Sequence, residues 1–176
     1  MKRAPDIEDR AKRVKIILMD VDGVMTDGKI IFLSGGGEAK AFDSKDGVGI
    51  KLAQRAGLKT GVISGRESEA LVRRCEELGV DEIHQRVSEK VRTYDEICSR
   101  LGLKDEECCF IGDDIVDAPV LKRVGFPVTV ADGHPALEAI VAYVTDRPGG
   151  AAAVREVIDL VIRAQGKWDE VVGRYI

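Results

Sequence analysis

The sequence predicts a doubly wound α/β fold with a β-hairpin inserted after the first strand and no separate cap domain. Three observations carry this. Short, continuous apolar runs recur at roughly even intervals. Amphipathic helical stripes fill the spaces between them. One glycine-centred stretch breaks the rhythm directly after the first run. The chain has 176 residues, 44% of them apolar and 33% charged, which suits one globular domain with a real core.

The strands come first. Lys15 to Met19, Lys59 to Ile63, Cys108 to Ile111 and Phe126 to Val130 are too uniformly apolar for a half-exposed ribbon. They read as strands buried on both faces of a parallel sheet. Helical stripes follow from spacing. Leu71, Cys75 and Leu78 share a face, as do Val91, Tyr94, Ile97 and Leu101, and Val154, Val157, Ile158 and Val161. Gly57, Gly79 and Gly102 sit just past helical stretches, at left-handed C-cap positions. Strand and helix in alternation give a Rossmann-like sheet wound on both sides. The exception runs from Gly28 to Phe42, where Ser34-Gly35-Gly36-Gly37 divides two extended segments and predicts a hairpin. A cap domain needs far more chain, so the site is expected to be open or covered by another subunit. Ile30 to Leu33 is too apolar for an exposed ribbon; burial at a subunit interface accounts for it, and the plainer alternative is a hairpin packed on its own core.

Composition removes several functions. There are 27 Lys plus Arg against 31 Asp plus Glu, a net charge of −4, which argues against a general nucleic-acid binder. No apolar run approaches the ~20 residues of a membrane span. Met1 to Lys15 lacks the apolar core of a signal peptide, so a cytoplasmic location is expected. The four cysteines form no Cys-x-x-Cys pair and there are two histidines, so neither a zinc site nor a disulfide framework is indicated. His84 reads as a half-buried residue beside a strand end and His134 as helix-start chemistry. The tail, about 166–176, is too short to fold alone.

The chemistry lies at the strand ends, where open α/β sheets bind ligands. The first run ends in Asp20-Val21-Asp22-Gly23, the second in Ser64-Gly65-Arg66, and a later one in Gly112-Asp113-Asp114, with Asp117 following. Lys90 begins the helix before that last run. Converging carboxylates repel one another unless a cation joins them. A hard divalent ion with oxygen ligands, Mg²⁺ by preference, resolves the conflict and accepts a substrate phosphate. Gly23 lets the chain turn, so Asp20 and Asp22 can straddle a phosphoryl group. One is then the nucleophile and the other the acid that protonates the leaving oxygen and later activates water. Ser64 and Lys90 bind the phosphoryl oxygens. Taken singly, each element has a plainer reading as a turn, a cap or a solvated lysine. An EF-hand is excluded because the position of its bidentate Glu, counted from Asp20 or Asp22, holds Ile31 or Leu33.

Asp20 to Val24, Ser64, Lys90 and Gly112 to Asp114 together resemble the four motifs of the haloacid dehalogenase superfamily. Asp20 to Gly28, Lys40 to Phe42, Asp46-Gly47, Gly65-Arg66, Arg74-Cys75, Ala153 to Val157, and Ala164 to Lys167 with Asp169-Glu170 resemble its small, capless, tetrameric branch over nearly the whole chain. The resemblance implies Asp20 as nucleophile and Mg²⁺ ligand, and Asp22 as general acid and base with its carbonyl on the metal. It implies Asp113 as the third ligand, and Ser64 and Lys90 as phosphoryl holders. It places Asp43, Ser44, Lys45, Asp46, Gly47, Lys51, Arg66 and Arg74 around the substrate. It implies a phosphatase for an eight-carbon 2-keto-3-deoxy sugar acid phosphate that serves lipopolysaccharide assembly, and a homotetramer joined through its hairpins. A tail reaching a neighbouring active site is a further implication. An arginine is a sensible reader of the sugar carboxylate, whereas the competing reading of Arg66 and Arg74 is surface charge or an ion pair. A nine-carbon sialic-type substrate and a non-catalytic binding module on the same fold are the alternatives. The sequence departs from the branch at Glu67 and Glu69, where lysines are common, at Lys51, where arginine is common, and at Arg86, where glycine is usual. These departures bear on the identity of the sugar, and Arg86 is a further candidate to meet a carboxylate.

Overall fold

The computed structural model describes residues 4–173 and Tyr175. The first three residues of the expected leaderless start, and Arg174 and Ile176 of the expected tail, lie outside the described residues. Six parallel strands form one sheet: β1 (Ile16–Met19), β4 (Lys59–Ile63), β5 (Glu82–His84), β6 (Cys108–Gly112), β7 (Phe126–Thr129) and β8 (Tyr143–Val144). Their order across the sheet is β5-β4-β1-β6-β7-β8. The chain winds outward from β1 through β4 to β5, then returns to lay β6 against the other side of β1. That reversal opens a crevice at the carboxyl ends of β1 and β6.

Helices cover both faces because alternate strand residues point to opposite sides. Ile17 and Met19 of β1, with Cys109 and Ile111 of β6, join a core completed by α1 (Ile7–Arg13), α2 (Ser44–Arg55), α3 (Glu69–Leu78), α6 (Ala153–Ala164) and α7 (Trp168–Val172). Ile16 and Leu18, with Cys108 and Phe110, face α4 (Lys90–Leu101) and α5 (Ala118–Leu121). The expected stripes fall inward. Leu71, Cys75 and Leu78 are buried on α3, Tyr94, Ile97 and Cys98 on α4, and Val154, Val157, Ile158 and Val161 on α6. Gly79 and Gly102 are left-handed C-caps.

Two details differ from expectation. The hairpin is present, but its paired strands are only β2 (Ile31–Phe32) and β3 (Glu38–Ala39). Its second arm leaves the ladder after Ala39 because Lys40 turns inward to an ion pair described below. The edge strands β5 and β8 have no apolar run of their own, being three and two residues long. They form because β4 and β7 offer unpaired backbone edges.

The tail docks on its own body. Val171 and Val172 are buried in the core, Lys167 donates to the Ala56 carbonyl at 2.7 Å, and Arg163 stacks on the Trp168 ring. Among the described residues, no helix is long and apolar enough to cross a membrane.

Candidate active site

Backbone pairing fixes the centre of the site. Met19 is level with Ile111 and Val62, and the Asp20 amide continues the ladder by donating to the Ile111 carbonyl at 2.9 Å. Asp20, Ser64 and Asp113 therefore emerge together, just past β1, β4 and β6. Asp20 is 7% exposed and Ser64 3%. The Ser64 hydroxyl accepts from the Arg66 amide at 3.2 Å. Gly23 allows Asp113 to close on the β1 loop. Its φ is +100°, and a Cβ there would lie 2.1 Å from an Asp113 carboxylate oxygen.

Lys90 enters from the first residue of α4. Its ammonium is bonded to Asp20 Oδ1 at 2.6 Å and to Asp117 Oδ1 at 2.7 Å. Burial alone would lower its pKa, but Asp117 and Asp20 outweigh burial and raise it. Lys90 is therefore a permanent cation beside Asp20. Asp117 is fully buried, and its second oxygen accepts the Asp113 and Asp114 amides at 3.0 and 3.4 Å. Burial raises its pKa in spite of Lys90.

Asp113 is different. Its Oδ1 is buried without a partner, and burial, then Asp20 and Asp117, push its pKa up to about 8. Carboxylate oxygens of Asp20, Asp113 and Asp117 lie within 4.8 Å of one another. A divalent cation fits this need, because it would satisfy the orphaned oxygen and cancel the repulsion. Asp20 and Asp113 suit it better than Asp117, whose two oxygens already hold Lys90 and two amides.

Asp22 is half-buried in the turn after β1. Lys40, whose side chain is 2% exposed, reaches in from the hairpin and pairs with Asp22 Oδ1. Arg66 lies 3.6 Å from Asp22 Oδ2 and 2.9 Å from Glu38 Oε2. Two cations thus flank Asp22, and Glu38 joins them. The hairpin strand and the β4 loop meet through them.

The residues expected around the substrate divide into groups. Arg66 is at the site, through Asp22. Asp43 is the N-cap of α2, accepting from the Lys45 amide at 2.6 Å, and Ser44 and Lys45 are exposed in the first turn. Asp46 is 2% exposed and accepts the Arg155 amide at 2.7 Å, binding the start of α6, while its Oδ2 is buried without a partner. Gly47 packs under the Arg74 guanidinium, and Arg74 pairs with Glu77 at 3.0 Å. The Lys51 ammonium lies beside Gly79, at the far end of α3 from Ser64. His84 bonds to Glu82 at 2.9 Å, away from the carboxylate cluster.

Two features escaped the sequence reading. Lys40 and Glu38 join Asp22 only through the hairpin's fold, which no local pattern announces. Asp117 carried a signal, four residues after Asp113 on the same turn, but its role depends on Lys90. Arg86 pairs with Glu67, so two of the departures noted above neutralise each other. The Arg86 φ of +56° is the left-handed backbone that favours glycine.

The comparisons agree with this geometry. A haloacid dehalogenase-like hydrolase family model matches residues 38–125. The chain is 39% identical to the 3-deoxy-D-manno-octulosonate 8-phosphate phosphatase of Salmonella typhimurium over 98% of this chain and 92% of that protein. The Yersinia pestis protein of the same name is 40% identical over 97% of this chain and 91% of its own length. Among solved structures, the Moraxella catarrhalis phosphatase of that name, in complex with a magnesium ion, a phosphate ion and KDO, is similar with a TM-score of 0.95. It has 36% identity and covers 97% of this chain and 98% of its own. The Yersinia pestis crystal structure gives 0.91 at 40% identity, covering 93% of this chain and 88% of that one.

Proposed function

The chain belongs to the haloacid dehalogenase-like hydrolases, and on that premise we propose that it is a Mg²⁺-dependent phosphomonoesterase. Its substrate in this reading is 3-deoxy-D-manno-octulosonate 8-phosphate, hydrolysed to the free sugar acid and phosphate. The observation that carries the reading is the cluster of Asp20, Lys90, Asp117 and Asp113, in which a buried carboxylate oxygen lacks a partner. Full-length relatives bearing that activity in their names support the substrate. The nine-carbon substrate and the binding module have no observation in their favour.

Asp20 attacks phosphorus in line with the leaving sugar oxygen, forming an aspartyl phosphate. Asp22 donates a proton to that oxygen as the bond breaks, then takes one from the water that cleaves the phosphoenzyme. Lys90 and Ser64 hold phosphoryl oxygens and offset the charge that builds on them. Lys90 does so because Asp117 fixes its ammonium beside Asp20. Asp20, Asp113 and the Asp22 carbonyl are the residues for Mg²⁺, which when bound polarises the phosphoryl group and neutralises the carboxylates. Asp43, Ser44, Lys45, Asp46, Gly47, Lys51, Arg66 and Arg74 remain the set proposed around the sugar acid. Within it Arg66 has the most support, from its place beside Asp22. Asp46 and Lys51 have the least, being engaged elsewhere in the fold.

The reading extends to the assembly. Residues 1–176 form one domain, with the hairpin, about 28–42, and the tail, about 166–176, as its appendages. It is a homotetramer joined through the hairpins and working in the cytoplasm, upstream of lipopolysaccharide assembly. The exposed hairpin face supports the contact, with Ile31 at 46%, Phe32 at 77% and Leu33 at 52% exposure. The deciding experiment is phosphate release with Mg²⁺ from the eight-carbon and nine-carbon acid phosphates and simple sugar phosphates, with Asp20→Asn as control. Preference for the eight-carbon acid, abolished in the control, is the expected result. Equal turnover of all substrates, or turnover that survives Asp20→Asn, refutes it.

A further inference from the structure

Cys98 on α4 and Cys108 at the start of β6 face each other with their sulfurs 3.7 Å apart. Both are free thiols. They are remote from the carboxylate cluster. Cys98 lies about 12 Å along its helix from Lys90, and Cys108 lies at the opposite end of β6 from Asp113. Cys98 is 8% exposed and Cys108 fully buried. The other two thiols are placed differently. Cys109 points to the opposite face of the sheet, in the core it shares with Cys75, so strand alternation keeps both from Cys98.

We propose that Cys98 and Cys108 form a reversible oxidation site, closing to a disulfide when the protein meets hydrogen peroxide. The Cys98 thiolate attacks a peroxide oxygen, giving a sulfenic acid and releasing hydroxide. The Cys108 sulfur then attacks Cys98 and displaces the second oxygen. The two thiol hydrogens leave with the two peroxide oxygens as two waters, and the peroxide is reduced as the thiols are oxidised. Cys98 is the first to react because it is the one near solvent. The Cys108 thiol beside it outweighs burial, so its pKa is lowered. Burial pushes the Cys75 thiol up to about 11 and raises that of Cys109 as well, which keeps both inert.

The sulfurs need to move from 3.7 Å to about 2.05 Å. The bond would close a short loop between two elements already packed together. It is therefore expected to stabilise the fold rather than distort it.

The test uses the full chain treated with hydrogen peroxide. The expected product is about 2 Da lighter by intact mass, returns to the original mass with dithiothreitol, and yields a linked Cys98–Cys108 peptide. Its melting temperature rises by several degrees over the reduced protein. Cys98→Ser and Cys108→Ser each abolish the mass loss, while Cys75→Ala does not. A gain of one or two oxygens at Cys98 with no linked peptide overturns the proposal. So does a link through Cys75 or Cys109, or a lower melting temperature after oxidation. The peptide map of the unmutated chain decides the matter even if a serine variant fails to fold.

Discussion

Mg²⁺ binding followed from pH 6 to 9 reads the electrostatics of the carboxylate cluster. Burial, then Asp20 and Asp117, raise the Asp113 pKa from the ordinary 3.8 to about 8. A cation needs the ionised carboxylate, so the metal-free protein must lose that proton before or as it binds. Below pH 8 the proton is mostly present, and each unit of acidification weakens Mg²⁺ about tenfold. Above pH 8 the affinity levels off. At pH 7 most molecules carry the proton, so binding releases close to one proton per ion. Calorimetry in two buffers of contrasting ionisation enthalpy measures that number directly. Asp113→Asn is the control, expected to bind weakly and to release no proton. A dissociation constant unchanged between pH 6.5 and 8.5, with no proton released, would refute the reasoning. The same shift fixes the sign for the fold. Because the native pKa is raised, the metal-free protein loses stability as pH rises through 8, and Mg²⁺ restores it.

Three further perturbations follow from the geometry. Gly23→Ala puts a methyl 2.1 Å from Asp113 Oδ2 at a φ of +100°. The expected outcome is loss of Mg²⁺ binding and a fall in kcat/KM on the order of 100-fold, with an unchanged circular dichroism spectrum. Asp46 has a native pKa raised to about 6, chiefly by burial. Its stabilisation of the fold is complete below its ordinary 3.8 and is lost as pH rises through about 6, so Asp46→Asn is expected to stabilise the protein at pH 7.5 by about 1–3 kcal/mol. Thermal melts at pH 5 and 7.5 check this, and unchanged kcat/KM in the variant separates the α6 contact from a substrate role. Asp117→Asn leaves the buried Lys90 with Asp20 alone and sets an amide donor against its ammonium. It is expected to cost about 3 kcal/mol and lower the melting temperature by about 6–12 °C, together with a fall in kcat.

The sheet's interior was legible because it is written locally. Ile16 to Met19 and Cys108 to Ile111 are apolar on both faces, and the helical stripes name the residues that cover them. The carboxylates at the strand ends were legible for the same reason, since each lies within a few residues of a strand whose end the chain itself marks. The pairing partners were not. Asp46, placed by resemblance around the substrate, also takes the Arg155 amide from the distant α6, a contact that no local pattern announces. Lys40 reads as a ribbon residue until the hairpin folds back on Asp22. The short strand β8 was invisible because the neighbouring edge, and no pattern of its own, makes it a strand, and of β5 only the end beside His84 was readable. Arg86 is a mixed case. Its appetite for a carboxylate was readable, while its left-handed backbone was not.

The junction of β1 and β6 acts as a measuring gauge. Hydrogen bonding holds neighbouring strands about 4.8 Å apart, and Met19 stands level with Ile111, so the chain exits the sheet at Asp20 and Asp113 with their separation already set. That distance is a property of peptide geometry and owes nothing to any helix. Outside the start of α4, which carries Lys90, the outer helices can therefore drift in sequence, and the sugar-facing surface can be rebuilt, without resetting that separation. A chain built on this gauge holds its chemistry constant while its selectivity is free to change.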